Sequence, residues 1–518
     1  MQRKTRDIIS QLTSSEKILI PFKRSAYNSV ALVYPQSYYI GMSSLGYQSV
    51  YAMLNARNDT QCDRAFSFDT GEIFTLETRR TLRDFDIVAF SISYENDFLN
   101  VITMLQESGI PLFSSERSDK DPLVIAGGVC SFINPEPLRN IVDVFLIGEA
   151  EAILDPFMDI YSDKKTMQRD TLLQSLSSVE GVYVPALYNK NNDKRIKKQY
   201  VADINTCNTS SSVLATGTEF ANRNLIELSR GCPRGCRFCA AKYIYSNARY
   251  RDIENIIPMI ERGMAFTNLV GFVGASVSDY PYIEELCRYV LAHDLKMSVS
   301  SLRADSVSDI LLRALTQGGQ REITIAPEAG TQRLRNLIQK GITLVDIIES
   351  AENAKRHGII RLKLYYMYGL PTESIDDIDG IVSEAIEISR ILPLRLNLTP
   401  FVPKPHTPFQ WCSMESGGNL KEKLSYIKAR LKGERRIKIT SESAKSVLLE
   451  ALLARGDVIF DKNTVNLKPQ EIIKHNPSIR KISLDEALPW DFIDNGIDKE
   501  YLKKEYNKSI ISQSPGDI

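Results

Sequence analysis

ELSRGCPRGCRFC, residues 227–239, gathers Cys232, Cys236 and Cys239 in one short run directly after an apolar stretch, residues 224–228, that reads as a strand. Thiolates separated by three and then two residues on a loop can converge on one small inorganic centre, whereas cysteines that only fill a core need no such spacing. Gly231, Pro233 and Gly235 break regular structure and let the backbone wrap closely around such a centre. The count of three is informative. A closed structural zinc site or a closed electron-transfer iron-sulfur cluster takes four protein ligands, so a triplet without a near fourth ligand points to a metal with an open coordination position. Zinc is the competing reading, and it would have to recruit Cys207, Cys287 or a distant histidine, because no histidine lies between Met1 and Val270. A disulfide framework does not fit a chain with eight cysteines in 518 residues and no secretory signal, which is the usage of a reducing compartment.

Outward from this run toward the C-terminus, strand patterns recur over residues 225–228, 268–273, 296–301, 322–326, 361–368 and 394–401. Helical patterns lie between them, for example over 282–291, 307–315, 344–356 and 378–391. Six such units predict a barrel or partial barrel with its active site at the carboxyl ends of the strands, and the cysteine loop follows the first of them.

Toward the N-terminus a second alternation predicts strands over 30–34, 87–93, 123–126 and 142–147, with amphipathic helices over 44–54 and 98–107. Continuous apolar strands separated by helices argue a parallel sheet covered on both faces, with its ligand crevice at the strands' carboxyl ends. Those ends carry Pro35, Gln36, Gly41, Ser91, Ser93, Glu95, Gly127, Gly128, Gly148 and Glu149. Taken singly, each of the glycines is better explained by a tight turn than by a ligand.

The expected organisation is therefore α/β throughout: a Rossmann-like domain over 1–160, a polar linker with a short strand pair (181–185 and 199–202) over 161–218, the barrel over 219–415, and a mostly helical region over 416–518. The basic run KARLKGERRIKI, residues 428–439, reads as a solvated helix face in preference to a nucleic-acid or substrate contact, and the aromatic segment 488–506 as docked on the body. Sixty-four basic residues balance 64 acidic ones, so no global field recruits nucleic acid or an anionic membrane. No apolar stretch approaches the roughly 20 residues that span a bilayer, and the expected location is the cytoplasm.

The triplet, set on the loop after the first strand of a six-unit alternation, resembles the signature of the radical S-adenosylmethionine (SAM) superfamily. The resemblance implies a 4Fe-4S cluster whose three cysteine-bound irons leave the fourth to chelate the amino and carboxylate groups of SAM. It also implies an external electron donor of flavodoxin or ferredoxin type, and reductive cleavage of SAM to a 5'-deoxyadenosyl radical that abstracts hydrogen from a substrate. By the same resemblance Phe238 packs near the adenine, Gly274 and Ala275 admit the methionine amino group, and Ser301 and Arg303 face the methionine carboxylate. Glu328 accepts from ribose or ammonium, and Leu370 and Pro371 contact the adenine. Arg303 has a plainer alternative as a surface ion pair, and Glu328 as a helix cap.

More narrowly, the chain is similar to the subgroup in which a cobalamin-binding-like domain precedes the barrel. The likeness lies in YPQSYYIGMSSLGYQSVY, FSISYEND, VIAGGVCSFINPEPL and FLIGEAE upstream, and in PFVPKPHTPFQW and LPWDFIDNGIDKEYL downstream. It implies cobalamin contacts at Ser91, Ser93, Gly127, Gly128, Gly148 and Glu149. The Asp-x-His-x-x-Gly segment of the best-known cobalamin pattern is missing, so this domain has no imidazole to place below cobalt. The implied reaction is cobalamin-dependent methyl transfer. Its alternatives are sulfur insertion, rearrangement or RNA modification without cobalamin, and, outside enzymes, a scaffold around structural zinc. His406 in PKPHTPFQW reads either as a substrate-facing acid or base or as a packed edge of the barrel mouth. The substrate itself is not written in any motif.

Overall fold

The computed structural model describes residues 1–190, 194–245, 247–476 and 479–510. It divides into two compact units, one made of residues 1–226, 453–468 and 487–496, the other of 227–452, 469–486 and 497–518. The last hundred residues thus contribute to both. The basic-polar run 189–198 is described only in part, since 191–193 lie outside the described residues.

The first unit is built on a six-stranded sheet: Asn28–Tyr34 (β1), Thr60–Phe66 (β2), Ile87–Ser91 (β3), Leu123–Gly127 (β4), Val144–Leu146 (β5) and Val182–Tyr183 (β6). The order is β2-β1-β3-β4-β5-β6, with the first five parallel and β6 antiparallel on the edge. Val30, Leu32, Val88, Val124 and Val144 are all buried, as expected for strands covered by helices on both faces. The helix Leu45–Ala56 starts where Ser44 accepts a hydrogen bond from the Tyr47 N–H, 3.3 Å, and Asp97–Glu107 follows β3. These helices lie where the periodicity placed them.

The strand β2 was not anticipated, because TQCDRAF carries Gln61, Asp63 and Arg64. Every residue of it is nevertheless buried, and the polar ones are paired within the fold. Arg64 bonds Glu77 (2.6 Å) and Glu16 (2.7 Å), while Asp63 accepts from Thr75 Oγ1 (2.9 Å) and the Thr78 N–H (3.0 Å). Buried charge is tolerated when it is paired and hydrogen-bonded, so a hydrophobic pattern cannot reveal such a strand. The stretch read as a linker holds the helix Arg169–Leu176 and short strands that do not pair with one another. Val182–Tyr183 joins the main sheet, Ile196–Lys197 pairs with Ile493–Asp494, and Val213–Leu214 pairs with Lys17–Ile18.

In the second unit the strands are Asn224–Glu227 (β7), at which the chain enters it, Leu269–Val273 (β8), Lys296–Val299 (β9), Glu322–Glu328 (β10), Arg361–Tyr368 (β11), Leu394–Pro400 (β12) and Ile437–Ser441 (β13). Leu228 donates its N–H to the Val273 carbonyl, 2.8 Å, and β8 pairs with β9 in parallel. A parallel bridge between Leu302 and Ile325 connects the end of β9 to β10, and β10-β11-β12-β13 form a parallel four-stranded sheet. The result is an open, partial barrel. In β10, β11 and β12 buried residues alternate with half-buried ones, so one face packs on helices and the other stays open.

β13 corrects the expected helix face across the basic run. RRIKITS alternates, with Ile437 and Ile439 half-buried and Lys438 and Thr440 exposed, which is the period of a strand and not of a helix. The rest of the C-terminal region is helical as expected: Gly417–Arg430, Ala444–Ala454, Pro469–His475 and Lys499–Ile510. Among the described residues no helix is long and apolar enough to cross a membrane.

The helix Ile375–Ser389 lies so close to the turn after β10 that Gly330 and Gly380 face each other without side chains. A Cβ on Gly380 would collide with the Gly330 carbonyl. Alanine ordinarily strengthens a helix interior by about 1 kcal/mol over glycine. Gly380→Ala is instead expected to lower stability by about 1–3 kcal/mol, as overpacking does, which denaturant unfolding would read directly.

Candidate active site

The cysteine loop leaves β7 through Ser229–Arg230, which pairs with Arg249–Tyr250, and Gly231 takes φ +81°, the left-handed region that glycine enters without strain. All three cysteines are free. Cys236 is buried, while Cys232 and Cys239 are half-buried. They lie close enough to feel one another electrostatically, and the Cys239 N–H donates to the Cys236 carbonyl, 3.2 Å. Burial pushes the Cys239 thiol up to about 12, with the neighbouring Cys236 adding to the rise and the Ala241 N–H opposing it. Burial also raises Cys236, against the pull of the Lys340 ammonium. Buried thiols of this kind ionise when a metal cation arrives to compensate them. Among the described residues no three Cys, His, Asp or Glu side chains already converge as a preformed ion site, so the sulfurs are gathered but not closed on a point.

The loop is braced by Arg237. Its N–H donates to the Ile338 carbonyl (3.0 Å), its carbonyl accepts from the Phe409 N–H (3.2 Å), and its guanidinium reaches the Leu337 carbonyl (2.7 Å) and Glu505 on the helix Lys499–Ile510 (3.0 Å). Tyr506 of that helix meets Trp411 edge-on at 5.9 Å. The docking expected of the aromatic C-terminal segment is therefore present here, and it ends on the residue between Cys236 and Phe238.

A belt of ion pairs joins the carboxyl ends of the first strands to the loop. Arg234 forks onto Asp279 (2.6 and 3.0 Å), which also accepts from Ser276 (2.8 Å). Arg303 forks onto Asp305 (2.9 and 3.0 Å) and reaches the carbonyls of Lys340 and Gly341 (both 3.3 Å). It is 9% exposed, so neither the solvated surface pair nor a free guanidinium describes it. Glu328 stands at φ +69° and binds Lys340 Nζ at 3.1 Å. A non-glycine residue held in this region is strained, and such strain gathers at functional sites. Glu328 does not cap the following helix; Thr331 does, accepting from the Leu334 N–H. Lys340, which no motif flagged, thus links Glu328 to Cys236.

The other expected residues separate. Gly274 has no room for a side chain, because a Cβ would stand 2.7 Å from Ser229 Oγ, whereas Ala275 is exposed and Ser301 and Phe238 are half-buried. Leu370 is buried in the protein with Pro371 half-buried beside it. His406 is buried at φ +61° with its N–H on Gln410 Oε1, 2.9 Å, the packed edge of the two readings.

In the first unit the strand order changes direction between β1 and β3, the switch point at which open α/β sheets bind ligands. Gln36 after β1 donates to Asp97 (2.8 Å), Asn100 donates to the Pro35 carbonyl (2.8 Å), and Ser93 hydrogen-bonds Tyr34. Gly127 opens on empty space, and Ser91 pairs with it in register. Gly128 makes room for the Ile92 backbone and Gly148 for Gln199, while Glu149 accepts from the Val201 N–H, 3.0 Å. Ser93 and Gly127 are thus at the crevice, and Gly128, Gly148 and Glu149 hold neighbouring chain.

Asp97 is the crevice group that the sequence pattern passed over. Burial pushes its carboxyl up to about 6 against the hydrogen bonds from Gln36 and Asn100. A raised acid binds more protons folded than unfolded, so stability is expected to fall as pH rises from about 4 to 6, by up to about 3 kcal/mol. Urea unfolding across that window should show the decline in the native protein and not in Asp97→Asn.

The family models match in the same places as these two sites. "Radical SAM proteins, N-terminal" matches residues 46–185 and "Radical SAM superfamily" matches residues 226–385. An uncharacterised protein of Methanocaldococcus jannaschii, MJ0966, is 32% identical over 442 residues, covering 84% of this chain and 90% of the relative. Among solved structures, the cobalamin-dependent SAM radical enzyme OxsB, with aqua-cobalamin and SAM bound, covers 94% of this chain and 66% of its own at 14% identity and a TM-score of 0.51. The radical SAM methyltransferase TsrM of Kitasatospora setae covers 75% and 77% at 12% identity and a TM-score of 0.49. With a relative this similar over most of its length and the superfamily's own model lying across the cysteine loop and the strands that follow, the chain belongs to the radical SAM superfamily.

Proposed function

We propose that this radical SAM enzyme is cobalamin-dependent and transfers a methyl group to an unreactive carbon. The observation that carries the reading is the first unit's sheet, in the order β2-β1-β3-β4-β5 with a polar crevice at its switch point, in a chain whose fold matches OxsB over 94% of its length. Cys232, Cys236 and Cys239 would hold the 4Fe-4S cluster, and three free thiols on one loop fit a cluster that keeps one iron for SAM. When bound, the cluster and SAM supply the radical chemistry. The residues of the chain hold and shield it. Arg237 fixes the loop, and Lys340 places positive charge beside Cys236, where the thiolates and the reduced cluster are anionic. Glu328, with one oxygen on Lys340, presents a carboxylate at the end of β10 as an acceptor for SAM donor groups. An external flavodoxin- or ferredoxin-type protein would deliver the electron, in the cytoplasm.

The first unit contains no histidine, since all four of the chain's histidines, His293, His357, His406 and His475, fall in the second. Cobalamin held there would draw no imidazole ligand from that unit. The test is anaerobic reconstitution with hydroxocobalamin followed by gel filtration. The expected result is about one cobalamin per chain, with a cob(II)alamin electron paramagnetic resonance spectrum lacking nitrogen splitting. SAM cleavage without retained cobalamin would leave the radical step standing and reject methyl transfer through cobalt.

A further inference from the structure

The open face of the barrel carries a row of cations that nothing in the SAM chemistry requires. In register across three adjacent parallel strands stand Lys363 on β11, Arg395 on β12 and Lys438 on β13. Neighbouring strands lie about 4.8 Å apart, so the three residues span roughly 10 Å. They are on the face away from the helices. The alternate residues Leu362, Leu364, Leu394 and Leu396 are buried, and Tyr366 on that buried face bonds Glu384 of the helix Ile375–Ser389 at 2.9 Å. Arg395 is 40% exposed and Lys438 is exposed.

Like charges side by side on one sheet face repel, and among the described residues the ion pairs of this row go to one carboxylate. Glu322 lies 3.5 Å from Arg395 and 3.4 Å from Arg361, one pleat before Lys363. Lys363 has a ring contact with Tyr365, 4.8 Å, but no ion pair among the described residues, and Lys438 has none either. Four cations, Arg361, Lys363, Arg395 and Lys438, beside one carboxylate leave this part of the face positively charged. The next row toward the carboxyl ends is polar and neutral: Tyr365, Asn397 and Thr440, with Thr440 Oγ1 donating to Asn397 Oδ1, 2.8 Å. Glu328 pairs in register with Tyr366, three residues beyond Lys363, which is about 10 Å along the strand.

We propose that the open inner face of β11, β12 and β13 binds an oxyanion of a small substrate, a phosphate or carboxylate group held by Lys363, Arg395 and Lys438, about 10 Å along the strands from the level of Glu328, toward the end where the radical forms. The proposal rests on the radical SAM reading for where the reacting carbon lies. A small ligand fits better than a nucleic acid, because 64 basic residues balance 64 acidic ones over the chain and the row itself spans only roughly 10 Å.

The probes are inorganic phosphate, pyrophosphate, citrate and a uridine oligonucleotide, titrated calorimetrically into the reconstituted holoenzyme at low salt, with SAM cleavage assayed separately on the same preparation. Pyrophosphate or citrate is expected to bind, with affinity falling at least tenfold in Lys363→Gln/Lys438→Gln. Tighter pyrophosphate points to a phosphorylated substrate, tighter citrate to a carboxylated one. The thermal midpoint of the variant checks that it is folded, and the single exposed change Lys438→Gln provides a second, milder case in which a loss of threefold or more is expected. Binding absent from the native protein, unchanged in both variants, or weaker than that of the oligonucleotide overturns the proposal. A protein that cleaves SAM yet ignores the anions rejects this site alone; one that binds the anions but never cleaves SAM rejects the radical reading alone.

Discussion

Cys236→Ala is expected to purify as a folded protein that holds well under the about four irons per chain of a complete cluster and makes no 5'-deoxyadenosine from SAM under reduction. Cys236 is the buried member of the triplet, at the centre of the loop, and the other two sulfurs alone would leave two irons without a protein ligand. No spare thiol compensates by sequence proximity, since the next cysteines are Cys207 and Cys287. Iron and sulfide assays after anaerobic reconstitution, with chromatography of the nucleoside product, read both losses. A variant that still assembled the cluster and cleaved SAM would show that the triplet is not the ligand set, and zinc in place of iron in the native protein would favour a structural metal site.

The second large effect is expected at Arg237. Its backbone and guanidinium tie the cysteine loop to residues 337–338, to Phe409 and to Glu505, which is 7% exposed. Removing one partner of a buried ion pair strands the other charge, at about 3–5 kcal/mol. Lys508 remains within 2.5 Å of Glu505, which places Arg237→Ala at the lower end, about 3 kcal/mol. Thermal unfolding should show the loss, and a chelator should strip iron from the variant faster than from the native protein. Glu505→Gln is the milder partner experiment. Burial would raise the Glu505 carboxyl, but the hydrogen bonds from Lys508 and Arg237 hold it below the usual glutamate range. A depressed acid stabilises above its unfolded value and loses that contribution as pH falls through the folded one. The native advantage over Glu505→Gln is therefore expected at neutral pH and should decline on acidification once the pH falls below the ordinary glutamate value of about 4.3.

What could be read in advance divides along one line. The strands of the first sheet that carry Val, Ile and Leu stood out because burial on both faces leaves them with near-continuous apolar runs; β2 did not, because Asp63 and Arg64 are buried with partners such as Thr75 and Glu16, 12 and 48 residues away. β13 was hidden for a different reason, its alternation of half-buried and exposed residues being masked by the charge of RRIK. In the site, Glu328 was legible as a strand end, but its left-handed backbone and its pair with Lys340 were not. Arg303 was legible as a cation, but Asp305, two residues on, takes both of its fork positions.

The sequence by itself determined the metal-binding loop, the two α/β alternations and the superfamily, because ligand spacing and hydrophobic period are local properties that a chain carries before it folds. Only the tertiary structure decided which charges are spent on distant partners and which stand together on one face. Arg234 and Arg237 are taken up by acids that the fold brings to them, while Lys363, Arg395 and Lys438 fall into one row because parallel pairing sets their register. Compensation of charge depends on distance in space, and residues as far apart in the chain as Lys363 and Arg395, or Arg395 and Lys438, become neighbours only when the sheet forms.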